Sequence, residues 1–204
     1  MFKPVSNKAN FPQMEEGVLS FWERNDTFKK SLELKINAYG KNHSLVGLGF
    51  MNLGALEYTM NKFELAEVNL LSALENFKTS LNDNHIWFGL TNFWYGKILI
   101  EKSRYSEAEK CVKTALSIYN KNYPKDHPNT ISANAELGII YFHQKKYAAA
   151  EKLLVTGYEE IKKLKGENDF NTMRLLKYLT KLFQKTHNSQ KLYIYKGNSI
   201  QSKK

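Results

Sequence analysis

Apolar residues recur three and four positions apart through most of the chain, with polar residues filling the intervals, a spacing that predicts helices and no strands. Helices are expected near 45–60 and 63–80, 87–101 and 105–121, and 129–143 and 147–164, followed by a partial fourth pair. Within the second of these, Leu65, Val68, Leu71, Leu74 and Phe77, with Ala66, are expected to form one buried face. Further on, Met173, Leu176, Leu179 and Phe183 mark an apolar side of a helix, and Arg174, Lys177, Lys181 and Lys185 its basic side. Punctuation agrees with these bounds. Asp126-His127-Pro128 sets a proline at a helix start, where its missing N–H costs nothing, and Gly166 follows a lysine-rich helix end.

The pattern repeats with a period of 42 residues. Gly54, Gly96 and Gly138 fall at that interval, and nine positions after each comes an aromatic: Phe63, Tyr105 and Tyr147. Three further on stand Ala66, Ala108 and Ala150, each followed by a glutamate, Glu67, Glu109 or Glu151. Ala73-Leu74, Ala115-Leu116 and Gly157-Tyr158 continue the register, and His43, His85 and His127 mark the turn into each unit, with Asp169 in the corresponding place. A small residue on each helix lets two backbones approach closely while the aromatic fills the gap beside them. The fold expected is all-α, a right-handed α-solenoid of antiparallel helix pairs.

The small residue, the aromatic, the alanine and the Ala-Leu pair at these offsets resemble the tetratricopeptide repeat, in the 42-residue variety of kinesin light chains. The resemblance covers about residues 28–187. In the fourth unit Thr180 stands where glycine is expected, Ser189 replaces the aromatic and Leu192 the alanine, so this unit reads as decayed into a cap. The organisation expected is an N-terminal helical cap over 1–40, an array of three full repeats and a decayed fourth over 41–187, and a basic tail over 188–204.

Residues 1–33 have a different character. Phe2-Lys3-Pro4-Val5-Ser6, Phe11-Pro12, Glu15-Glu16, Val18-Leu19, Phe21-Trp22 and Lys30-Ser31-Leu32-Glu33 resemble the extreme N-terminus of isoleucyl-tRNA synthetases. The His-x-Gly-His and Lys-Met-Ser-Lys-Ser signatures of that family's active site are absent, so none of its catalytic residues carries over. Taken alone, Pro12 can open a helix with Glu15 and Glu16 in its first turn, and Val18, Leu19 and Trp22 give that helix an apolar stripe in need of a neighbour. Ser31-Leu32 and Asn42-His43 fall in phase with Ala73-Leu74 and Asn84-His85, so the stretch before Gly40 reads as the second half of an incomplete repeat.

Composition narrows the function. The single cysteine, Cys111, rules out an internal disulfide and points to a reducing compartment. With no apolar run near the roughly 18 residues of a membrane span, a cytoplasmic location is expected. The formal net charge is +10, but its placement is uneven. Residues 170–204 hold eight Lys and Arg and no Asp or Glu, against 22 basic and 20 acidic residues in the remainder, which suggests an acidic partner at the C-terminal end.

No phosphate-binding loop, nucleophile elbow or Cys-x-x-Cys occurs, so no catalytic residue, cofactor or metal is expected. Equivalent loops of adjacent units lie roughly 10 Å apart, too far for the repeated histidines to converge on one zinc. Glu67, Glu109 and Glu151 read as solvated positions and Cys111 as a small apolar filler.

In tetratricopeptide arrays the first helices of successive units line a concave groove. The resemblance therefore implies that Leu48, Met51, Asn52, Ala55 and Tyr58 face inward from the first unit, and Leu90, Phe93, Trp94, Lys97 and Ile100 from the second. The third offers Ala135, Ile139, Phe142 and His143, and the fourth Arg174, Lys177, Lys181 and Lys185. Such a groove would suit a peptide bearing apolar anchors and carboxylates. For the basic face of the fourth unit, a solvated capping face is the competing reading. The function expected is a non-enzymatic interaction scaffold for a protein or peptide, with RNA or tRNA association through residues 170–204 as the alternative.

Overall fold

The computed structural model describes residues 26–201, with side chains described as far as Tyr195. The apolar stripe expected at Val18, Leu19 and Trp22 lies outside the described residues. Among the described residues nine helices follow in order: α1 (Thr27–Tyr39), α2 (Ser44–Thr59), α3 (Phe63–Ser80), α4 (Ile86–Glu101), α5 (Tyr105–Asn122), α6 (Pro128–His143), α7 (Tyr147–Lys165), α8 (Phe170–Lys185) and α9 (Ser189–Gln201). Helices α2–α3, α4–α5, α6–α7 and α8–α9 pair as hairpins, and α2, α4, α6 and α8 also touch one another in succession. Helix α1 packs on α2 through Leu32, with Phe28 and Ile36 beside it.

The repeat is stricter in the backbone than in the sequence. Helices α2, α4, α6 and α8 all have 16 residues and start 42 residues apart, at 44, 86, 128 and 170. Each is capped by the residue before it. His43, His85 and His127 accept a hydrogen bond on Nδ1 from the backbone N–H of Leu45, Trp87 and Asn129, each at 3.2 Å, and Asp169 accepts from Asn171 and Thr172. One orphan donor at each of the first three helix starts, and two at the fourth, are thereby satisfied. The far end of each helix reverses through one left-handed residue: Asn61, Ser103, Lys145 and His187, with φ of 57°, 58°, 62° and 53°. The next N–H in each case bonds back to the carbonyl five residues earlier, at 2.8–3.0 Å, from Lys62 to Glu57, Arg104 to Leu99, Lys146 to Tyr141 and Asn188 to Phe183. The fourth hairpin thus keeps the geometry of the others although its side chains depart from the pattern. Of the stretch expected as a basic tail over 188–204, Ser189–Gln201 form α9.

Packing explains the spaced glycines. A Cβ on Gly54 would lie 2.7 Å from Leu70, on Gly96 2.7 Å from Val112, and on Gly138 3.0 Å from Leu153 and Leu154, so each first helix rests directly on its own second helix. Ala66, Ala108 and Ala150 are wholly buried on the facing side. Thr180, in the glycine's place in the fourth unit, turns its hydroxyl onto the Leu176 carbonyl.

Two sequence expectations about helix faces require correction. On α3 the buried side is Ala66, Leu70, Ala73 and Phe77, whereas Leu65, Val68 and Leu71 are exposed. Apolar residues occur all round this helix, so periodicity alone could not choose between them. Met173 is likewise exposed, and the buried side of α8 is Leu175, Leu176, Leu179, Leu182 and Phe183.

Glu67, Glu109 and Glu151 are not solvated positions either. Glu67 accepts from Lys102 at 2.5 Å and Arg104 at 2.7 Å, both in the turn of the following hairpin. Glu109 repeats the arrangement with Gln144 at 2.8 Å and Lys146 at 3.5 Å, and Glu151 pairs with Lys191. Each glutamate therefore ties one unit to the next. Lys113 on its own helix, with Gln144 and Lys146 across the junction, holds the Glu109 carboxyl down to about 2.

Candidate functional site

The first helices bring five of the expected groove residues into one cluster. Lys97 on α4 lies over the rings of Tyr58 (4.7 Å to the centroid), Trp94 (4.8 Å) and Phe93 (5.7 Å), and its ammonium is 4.0 Å from Glu136 on α6. Arg174 on α8 donates to the same Glu136 oxygen at 2.5 Å and reaches Glu101 on α4, two hairpins back, at 3.5 Å. Tyr58 on α2 donates to Glu101 at 3.5 Å. Tyr58, Glu101, Arg174, Glu136 and Lys97 thus form a chain of contacts across all four first helices.

Burial sets the electrostatics of this cluster. Lys97 and Glu136 are only 7% and 5% exposed. Desolvation pushes the Lys97 ammonium below its ordinary value, with the charge of Glu136 offsetting part of the loss. Burial also opposes the Arg174 charge, but Glu136 beside it, helped by Tyr58 and Tyr178, more than compensates and holds the guanidinium above its usual range. Sequence reasoning places Lys97 and Arg174 among cations free to meet a ligand. The structure differs, because both are neutralised internally. Their partner, Glu136, lies 39 and 38 residues from them, a separation at which no helical spacing applies.

Of the other expected groove residues, Met51, Ile100, Ala135, Ile139 and Phe142 are core side chains, each no more than 7% exposed. Leu48 and Leu90 are half-buried against that core, and Asn52 and Ala55 are half-buried on α2. His143 stacks on Tyr105 at 4.4 Å and shares a 3.2 Å hydrogen bond with Tyr178. Burial, with Lys181 and Arg174 nearby, holds its pKa below the ordinary histidine value.

Lys177, Lys181 and Lys185 stand apart from the cluster. All three are exposed on α8, and none makes an ion pair in the described structure. Lys181 lies over the Tyr178 ring at 5.7 Å. Helix α8 therefore spends one of its four aligned cations on the interior and presents the other three outward.

Chemistry of other kinds has little foothold. Among the described residues no three His, Cys, Asp or Glu side chains gather as metal ligands, and no helix is long and apolar enough to cross a membrane. Cys111 lies half-buried on α5, and burial pushes its thiol up to about 11, far from a nucleophile's range.

These features define an α-solenoid of stacked helical hairpins whose first helices are joined by ion pairs. Residues 89–159 match the tetratricopeptide repeat family model, and that stretch is tetratricopeptide repeat, with the same hairpin geometry continuing on either side. A putative kinesin light chain of Podosopora anserina with nearly identical TPR-like repeats shares the fold, with a TM-score of 0.63 over 94% of this chain and 95% of that one. At 12% identity the likeness concerns the fold alone. The mitochondrial tetratricopeptide repeat protein 19 homolog of Drosophila melanogaster is 28% identical over 78 residues, 38% of this chain. An isoleucine-tRNA ligase of Treponema denticola is 59% identical over 32 residues, 16% of this chain. The chain spans 3% of the length of that ligase and 21% of the Drosophila protein.

Proposed function

We propose that this chain is a non-enzymatic interaction scaffold that binds an acidic, partly apolar partner protein or peptide, with Lys177, Lys181 and Lys185 as the groups that receive its carboxylates. One observation carries the reading. The buried Lys97 and the partly buried Arg174 are matched by Glu136 and Glu101, whereas the three lysines aligned on α8 have no acid to meet. Tetratricopeptide arrays serve as protein-interaction scaffolds, and that coarse role follows from the fold. Exposed ammonium groups at one-turn spacing suit carboxylates on a partner and steer its approach. Exposed apolar side chains nearby, Phe170 and Met173 at the start of α8, offer the anchors such a partner needs.

The test is binding of an acidic fluorescent peptide, followed by anisotropy at physiological salt, to the wild type and to Lys177→Glu combined with Lys181→Glu. Both lysines are exposed, so the double variant is expected to fold normally and to lose at least about tenfold in affinity. Unchanged affinity would remove these lysines from the site. An RNA of equal charge that binds more tightly than the peptide, with a steep salt dependence, would favour nucleic acid as the partner.

A further inference from the structure

The third repeat gives up volume on its first helix. Ser132 falls at the 42-residue register of Leu48 and Leu90, and Ala135 at that of Met51 and Phe93, so α6 carries two small side chains where α2 and α4 carry large ones. Between α4, α6 and α8 lies a cleft with a volume of about 20 Å³, lined by Lys97, Ser132, Ala135, Glu136, Asn171 and Arg174 among others. Two charged groups on its wall lack hydrogen bonds they can make. Glu136 is 5% exposed, and its Oε1 accepts from Arg174, but its Oε2 is buried with no hydrogen-bond partner among the described residues. The Lys97 ammonium stands 4.0 Å from Oε1, beyond hydrogen-bond reach, and its other close neighbours are the faces of Tyr58, Trp94 and Phe93. A buried polar atom left in this condition is costly, and native proteins rarely tolerate one.

We infer that this cleft binds one water molecule, which accepts a hydrogen bond from the Lys97 ammonium and donates one to Glu136 Oε2. Size and charge together select this ligand. A water needs roughly 10–15 Å³ and two to four polar partners. The cleft offers that room, the two charged groups, and the half-buried side chains of Ser132 and Asn171 on the same wall. A ligand of several heavy atoms does not fit. A cation would meet Lys97 and Arg174, and an anion would meet Glu136. A neutral molecule that both accepts and donates answers the two unmet groups at once, and polar gaps wider than about 3.5 Å are those a bridging water spans. The water joins α4 of the second hairpin to α6 of the third, beside the direct bond that Arg174 of the fourth makes to Glu136. This inference is independent of the acidic partner proposed above.

The experiment has two parts. A high-resolution crystal structure of the full chain should show one ordered water within about 3.2 Å of both Lys97 Nζ and Glu136 Oε2. Lys97 closed directly onto Glu136, or no density between them, would overturn the inference. The second part displaces the water. Ser132→Leu restores the side chain of the first two repeats and fills the cleft, whereas Ser132→Ala removes the hydroxyl without filling it. With water bound, the leucine variant is expected to melt at least about 3 °C below the alanine variant, because expelling the water leaves Glu136 Oε2 and Lys97 unpaired. In a dry cleft the order reverses, since filling a void stabilises. Crowding by leucine is separated by repeating the comparison in a Lys97→Met chain, which lacks one of the water's two charged partners. The difference between leucine and alanine should shrink there, and an unchanged difference would trace the loss to overpacking and overturn the inference.

Discussion

Glu136 stands between a buried cation, Lys97, and a partly buried one, Arg174, so its removal and theirs have unequal consequences. Replacing it by glutamine leaves Lys97 and Arg174 charged and poorly compensated in a desolvated site, a situation that typically costs about 3–5 kcal/mol. Lys97→Met, by contrast, keeps an unbranched chain of similar volume among Tyr58, Trp94 and Phe93 and leaves the Glu136–Arg174 pair intact. Its cost is expected within about 1 kcal/mol of zero, and stabilisation is within reach because the buried ammonium itself is unfavourable. Urea unfolding of the two variants measures both. Similar losses in both would show that the ion pair with Lys97, at 4.0 Å, contributes far more than its geometry implies. In sequence none of this is visible. Lys97 and Arg174 read as surface cations, because the carboxylate that absorbs them is contributed by another hairpin.

At the scale of the helix the sequence is far more informative. The residue before each first helix performs one task, and the chain solves it with histidine three times and aspartate once. His85→Ala removes the acceptor for the Trp87 N–H and is expected to cost about 1 kcal/mol. His85→Asp should restore most of that loss, since Asp169 makes the same bond in the fourth unit. Thermal unfolding of the two variants checks this, and an aspartate no better than alanine would assign the histidine's value to its edge-on contact with Trp87 at 4.9 Å. The period, the helix bounds, the caps and the close-packed glycines are all legible because each depends on residues near one another in the chain. The buried face of α3 is not legible, for the opposite reason. Leu65, Val68 and Leu71 are as apolar as Leu70 and Phe77, and only the neighbouring hairpins decide which set is covered. The fourth unit is legible at its cap, Asp169, but not at its turn, because a left-handed turn residue can be Asn, Ser, Lys or His and leaves no single signature.

Over the whole molecule, stability depends on the junctions between units as much as on the units themselves. The glutamates on α3, α5 and α7 tie each hairpin to the next across the same kind of junction, and Glu109 makes the middle tie, through Gln144 and Lys146. Its carboxyl is held down to about 2, well below the ordinary carboxylate value it regains on unfolding. A depressed folded pKa means that the unfolded chain takes up the proton first. The contribution of Glu109 is therefore complete above about pH 4.5, shrinks as the pH falls through that value, and is gone below about 2. Glu109→Gln lacks this dependence, so the melting temperature of the variant should fall less steeply than that of the wild type between pH 5 and pH 2. The same substitution weakens the junction between the second and third hairpins at neutral pH. Amide hydrogen exchange in α6 to α9 should then accelerate relative to α2 to α5, because the two halves open more independently. Uniform acceleration along the chain would mean that the Arg174–Glu101 contact, which skips a unit, couples the halves without help from this junction.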